Sequence, residues 1–132
     1  MSNTTALRTA AILGGLAVAL AAFGAHGLKA VLADNQTNGI WEKAVFYHFI
    51  HALALMVLAI WLRLGAPSYV AKLSWGLLLG IVLFSGSLYA YVLTAWKPLV
   101  FFTPIGGSVW LITWLVLALL SAKSLPVKHQ VD

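Results

Sequence analysis

The stretch WEKAVFYHFIHALALMVLAIWLR, from Trp41 to Arg63, decides the fold because it contains an apolar run long enough to cross a membrane. No charged side chain lies between Lys43 and Arg63, and a helix needs roughly 20 apolar residues to cross the hydrocarbon core. Trp41 and Trp61 lie near its two ends, where tryptophan favours the boundary between lipid tails and water. The stretch therefore predicts a membrane-spanning helix.

The composition of the whole chain supports the same interpretation. Of its 132 residues, 62% are hydrophobic and only 8% are charged, whereas an ordinary soluble domain has about 25% charged residues. A water-soluble chain of this length has too little interior to bury so much apolar surface. Three more long uncharged runs lie between Arg8 and Lys29, between Lys72 and Lys97, and between Lys97 and Lys123. Since the backbone must satisfy its own hydrogen bonds in lipid, the sequence predicts an all-α membrane protein, a four-transmembrane-helix bundle.

The bundle is expected to form a single domain over residues 1–132. The predicted spans and the predicted mobile tail are 8–29, 41–63, 69–93, 103–122 and 123–132. Gly65 and Pro67 break the chain between the second and third spans, and Pro104 suits the first turn of the fourth. The first span is longer than the 7–15 apolar residues of a signal peptide, so we expect it to be retained.

The basic residues predict the orientation of the bundle. Four spans put both termini on one side, and five basic residues fall on that side against three on the other: Arg8, Arg63, Lys72, Lys123 and Lys128 against Lys29, Lys43 and Lys97. The positive-inside bias then places both termini in the cytoplasm. The net charge of +5 is spread singly along the chain, so the expected partner is the lipid bilayer and no nucleic acid.

Polar residues from distant segments fall at a similar depth in the predicted bundle, in the leaflet away from the termini. His48 and His51 lie about 10 Å and 15 Å along the second span from Trp41. The whole candidate cluster comprises His26, His48, His51, Ser85, Ser87, Tyr89, Thr103, Gly106 and Gly107. Because a polar group inside a membrane needs a partner, we predict that these residues gather in one polar cluster, which is the candidate ligand-binding site.

Three interpretations of the paired histidines remain open. Imidazole ligates metals and haem iron, and it also titrates near neutrality, which suits proton transfer. The third interpretation, which we favour, is a neutral imidazole bonded to a neighbouring helix. The acids Asp34, Glu42 and Asp132 all lie outside the spans, and the chain has no cysteine. With so few ligands and no carboxylate in the membrane, no metal site, cofactor or catalytic set is predicted.

Four motifs resemble the YgdD-type family of small inner-membrane proteins, which share domain of unknown function 423 and have relatives in eukaryotes. They are GAHGL at 24–28, the Trp41 to Leu55 stretch with its Tyr47-His48 and His51-Ala52 pairs, FSGSLY at 84–89 and TPIGG at 103–107. The resemblance covers about residues 7–120, with the motifs in family order. It implies a four-helix membrane fold in the plasma membrane, the inner membrane of a bacterium, and brings no known activity.

Two positions depart from the family pattern. His48 stands where a Gln-like residue is expected, and Thr113 stands where a glycine is expected before Trp114. The first departure weakens a ligand scheme based on two histidines, whereas His26 and His51 match the pattern.

The expected function is that of a non-enzymatic small subunit, or an assembly or stabilising factor, within a homo-oligomer or a larger membrane complex. The alternative is a protein that binds or conducts a small ligand, a lipid headgroup, haem or protons through the polar cluster.

Overall fold

The computed structural model describes residues 1–121 of the chain, and this part is helical without any strand. Its α-helices are α1 (Asn3–Ala25), α2 (Lys29–Asp34), α3 (Asn38–Arg63), α4 (Tyr69–Gly80), α5 (Ser87–Thr94) and α6 (Phe102–Ser121). A π-helical segment, Ile81–Gly86, joins α4 to α5, and a 3-10 turn, Lys97–Phe101, leads into α6. Four helices are long and apolar enough to cross a membrane: Asn3–Ala25, Asn38–Arg63, Tyr69–Thr94 and Lys97–Ser121. The all-α fold with four candidate spans is confirmed.

The first helix lies nearer the N-terminus than the predicted span 8–29. It begins at Asn3 because Ser2 caps it, with the Ser2 hydroxyl accepting the Thr5 N–H at 3.2 Å. It ends at Ala25, where the Leu28 N–H donates to the Phe23 carbonyl at 2.9 Å, a bond that commonly terminates helices.

The polar connection expected at residues 30–40 contains the short helix α2 and the start of α3. Its Leu32 side chain packs against Trp41 and Val92, which gives this segment an apolar anchor and stabilises the extra helical turn. The predicted fourth span extends to residue 122, and this last residue and the predicted mobile tail at 123–132 lie outside the described residues.

Helix α1 runs antiparallel to α3 and packs closely against it. The Trp41 indole, at the start of α3, donates to the Leu20 carbonyl near the end of α1 at 3.0 Å. At the other end, the Met1 amine donates to the Ala71 carbonyl in α4 at 3.3 Å. The buried face of α1 consists of small residues, Ala6, Ala10, Ala17 and Gly24. Small side chains let two helix backbones approach within the membrane.

The main apolar core lies where α3, the third span and α6 meet. It comprises Ala10, Leu55, Leu58, Val70, Leu73, Leu77, Ile81 and Trp110. Many large apolar side chains lie on the outside instead, for example Ile12, Phe101 and Leu111. An exposed apolar surface of this extent would be a liability in water, and it fits a bundle whose outer surface contacts lipid.

Candidate functional site

An aromatic stack built around Trp110 joins three of the spans. The His51 ring from α3 lies parallel to the Trp110 ring from α6, with 3.6 Å between centroids and 4° between planes. The Phe84 ring of the π segment contacts the same indole, with centroids 4.9 Å apart. The Trp110 N–H donates to the Leu77 carbonyl in α4 at 3.1 Å. One buried side chain therefore fixes the relative positions of α3, the third span and α6.

Both ring nitrogens of His51 already have partners inside the protein. Nδ1 lies 2.8 Å from the Tyr47 carbonyl, and the Trp114 indole N–H points to Nε2 at 3.3 Å. An indole only donates and a carbonyl only accepts, so a neutral ring with its proton on Nδ1 satisfies both contacts. His51 is 4% exposed. In this arrangement no His51 nitrogen is available to a metal or a substrate.

His48 is also buried, but only one of its nitrogens forms a hydrogen bond of good geometry. Nδ1 lies 3.3 Å from the Tyr89 hydroxyl, and the Tyr89 ring packs against Trp41 with centroids 4.9 Å apart. The ring also faces the Leu13 backbone of α1, while Nε2 is buried without a well-formed hydrogen bond to any described group. His48 therefore lies between α5 and α1, whereas His51 faces α6.

The π segment brings the third span against the start of α6. The Ser87 hydroxyl donates to the Phe84 carbonyl at 2.9 Å and lies 2.8 Å from the Thr103 hydroxyl. Gly106 lies against the π-segment backbone, so that a Cβ atom there would be 2.5 Å from the Phe84 nitrogen. Ser85 is completely buried, and its hydroxyl has no partner among the described groups. Short π-helical segments within α-helices occur frequently at functional sites.

The structure divides the predicted polar cluster into separate pairs. His48 meets Tyr89, Ser87 meets Thr103, and His51 meets aromatic residues that the prediction did not include. His26 is exposed just after α1. Gly107 lies beside the Phe84 ring, where a Cβ would be at an ordinary 3.7 Å.

Ligand binding by any of these residues stays a prediction. Within residues 1–121, no group of three or more histidine or acidic side chains is placed to hold a metal ion.

Two tryptophan–glycine contacts were missed by sequence reasoning. We interpreted Trp41 as an interface anchor, but it is 3% exposed and lies over Gly24, leaving no space there for a Cβ. Trp110 lies over Gly80 in the same way. In each pair the indole N–H reaches a backbone carbonyl one helical turn before the glycine. Two sequence features could have indicated these contacts: the GAHGL motif at 24–28, and Trp110 in the middle of a span.

The fold and these contacts define a multi-pass helical membrane protein whose buried polar groups mostly bond between or within its own helices. The family model "Protein of unknown function (DUF423)" matches residues 20–107. The chain therefore belongs to the DUF423 family, which confirms the resemblance seen in its motifs.

Curated relatives are similar over most of their length. A UPF0382 membrane protein of Staphylococcus epidermidis is 46% identical, with 85% of this chain and 93% of the relative covered. The UPF0382 membrane protein YwdK of Bacillus subtilis is 40% identical, with 83% and 89% covered. A UPF0382 membrane protein of Haemophilus influenzae is also 40% identical, with 89% and 94% covered. No solved structure matches the chain.

Proposed function

We propose that the protein is a non-enzymatic component of the bacterial inner membrane that stabilises a larger membrane complex or assists its assembly. The observation that carries this proposal is the internal pairing of His51, whose two nitrogens and ring face are all occupied by the protein itself. A side chain used in this way holds helices together and is not free to react. The bias of basic residues toward the termini supports a cytoplasmic location for both termini.

Helix α1 offers the surface on which such a partner would pack. It lies at the edge of the bundle and contacts mainly α3. Its outer side carries small exposed residues, Ala11, Gly15 and Ala22, and a Cβ at Gly14 or Gly15 would meet nothing within 4 Å. Ala11 and Gly15 are one turn apart and Ala22 lies two turns further on, and small residues on one helix face let another transmembrane helix approach closely. A spanning helix of a partner protein fits this surface.

Gly15→Leu should abolish association with the partner complex, because the new side chain fills the space that a partner backbone would occupy. Purification of the tagged full chain in mild detergent should recover a partner in fixed stoichiometry, and Gly15→Leu should lower that recovery at least tenfold. The matched control is Gly39→Leu, another exposed glycine with nothing within 4 Å, which should leave recovery unchanged. Repeated isolation of the wild-type chain alone would contradict the proposal.

A second candidate function rests on two of the three buried side-chain polar atoms that lack a hydrogen-bond partner within residues 1–121, Nε2 of His48 and Oγ of Ser85; the third is Oγ1 of Thr37, outside the spans. Buried groups of this kind are normally paired with protein or ordered water, so their presence favours a bound polar species or a proton path through the bundle. In this function His48, bonded to Tyr89, is the reactive imidazole. His51 then serves only to hold the helices.

His48→Phe should remove any proton flux, because it deletes the unpaired nitrogen and keeps a flat ring of similar size. We expect flux into proteoliposomes to fall at least tenfold, to the level of protein-free vesicles. The matched control is His26→Phe, which changes an exposed histidine and should leave the flux unaltered. If wild-type proteoliposomes are no more permeable than empty ones, this second function is excluded.

A further inference from the structure

A groove of about 700 Å³ lies between α1 and α3, on the side of α3 that faces α1. Its volume falls within the roughly 300–1,000 Å³ of ordinary ligand sites. Its wall is apolar and includes Val18, Ala21, Phe49 and Ile50. The groove is separate from the Trp110 stack, which lies between α3 and α6.

The length of the groove matches one leaflet of a bilayer. Its lining on α3 runs from Asn38 to Ile50, which is about 18 Å at 1.5 Å per residue. Half of the roughly 30 Å hydrocarbon core is about 15 Å. An acyl chain lying parallel to the helices therefore fits from the membrane surface to near the midplane.

Polar and charged side chains lie only at one end of the groove. Lys29, Asn38 and Glu42 line it there, at the end of α3 that begins the span. Neither Lys29 nor Glu42 forms an ion pair within the described part of the chain. Two opposite charges that do not neutralise each other complement a ligand that carries both a phosphate and an ammonium group.

We propose that this groove binds one phospholipid with a zwitterionic aminoethyl phosphate headgroup, of the phosphatidylethanolamine class. Lys29 and Asn38 donate to the phosphate, Glu42 accepts from the primary ammonium, and an acyl chain lies along the apolar wall. The site does not depend on the proposed role in complex assembly, since a lipid would bind the isolated chain. Its wall adjoins the partner surface, because Val18 lies three residues after Gly15 and four before Ala22 on α1. It gives the groove a single occupant, a lipid from the surrounding leaflet.

The test is native mass spectrometry of the purified full chain, incubated separately with phosphatidylethanolamine and with phosphatidylglycerol. We expect one phosphatidylethanolamine per chain, bound at least fivefold more tightly than phosphatidylglycerol, which lacks the ammonium. Ala21→Phe fills the groove and should weaken binding at least tenfold. The matched control is Ala118→Phe, at an exposed position in α6 outside the groove lining, which should bind as the wild type does.

Glu42→Gln tests the headgroup without disturbing the interior, because Glu42 is exposed. It should bring the affinity for phosphatidylethanolamine down to that for phosphatidylglycerol, and this readout decides the question even if Ala21→Phe fails to fold. Equal binding of both lipids by the wild type would overturn the proposal. So would undiminished binding by a folded Ala21→Phe, or a lipid-free dimer that fills the groove with a second copy.

Discussion

Gly106→Ala is expected to destabilise the bundle by about 3 kcal/mol, at the upper end of the usual cost of overpacking a core. The added methyl group would lie 2.5 Å from the Phe84 nitrogen and 2.9 Å from the Leu83 carbonyl carbon. Both are backbone atoms in the π segment, so no side-chain rotation can relieve the clash. Helix α6 must therefore move away from the third span, which also separates the hydroxyls of Ser87 and Thr103.

The measurement is reversible unfolding of the full chain in mixed micelles, followed by circular dichroism. Gly107→Ala is the matched control, because its methyl group would meet the Phe84 ring at 3.7 Å, an ordinary contact. We expect this control to unfold close to the wild type. Equal stability of the two variants would show that α6 does not approach the π segment as closely as described.

Trp110→Ala should have the other large effect, about 4 kcal/mol, as expected for removing a large buried aromatic side chain. The indole is 4% exposed and contacts both His51 and Phe84. Its loss also removes the hydrogen bond to the Leu77 carbonyl. The substitution therefore opens a cavity at the junction of three spans.

Trp114→Phe is the comparison for this variant, since Trp114 lies four residues further along the same helix and is 44% exposed. It keeps an aromatic ring at this position, although a smaller one, and removes the N–H that points to His51 Nε2. The expected cost is about 1 kcal/mol. Unfolding in mixed micelles should rank the wild type first, Trp114→Phe next and Trp110→Ala last. If Trp114→Phe were less stable than Trp110→Ala, the central packing role would belong to Trp114, which would contradict this prediction.

The pairing of the polar residues illustrates where sequence reasoning stopped. Spacing along a span predicts depth, and it correctly placed His48 and His51 one turn apart within α3. Residues three apart differ by about 60° around a helix, which is enough to direct one imidazole toward α5 and the other toward α6. That direction depends on how each helix is rotated about its axis, a quantity set by contacts with residues distant in sequence.

The close contacts at these glycines could not be predicted from local sequence patterns either. Gly24 and Gly106 were noted as parts of motifs, but the partners that require them are an indole from α3 and the backbone of the π segment. A π segment differs from an α-helix by a one-residue shift of hydrogen bonds, and the FSGSLY sequence carries no distinct signal for that shift. The close approach of α6 to the third span accompanies this shift in the folded chain.

The sequence by itself determined the class of the protein, the number of spans and their approximate positions, because transfer of an apolar run into lipid depends on that run alone. Family membership also followed from local motifs. Only the tertiary structure decided that His51 is fully paired, that His48 and Ser85 are not, and that a groove opens between α1 and α3. These features depend on which faces of separate helices meet, and that is decided by side-chain packing over the whole bundle.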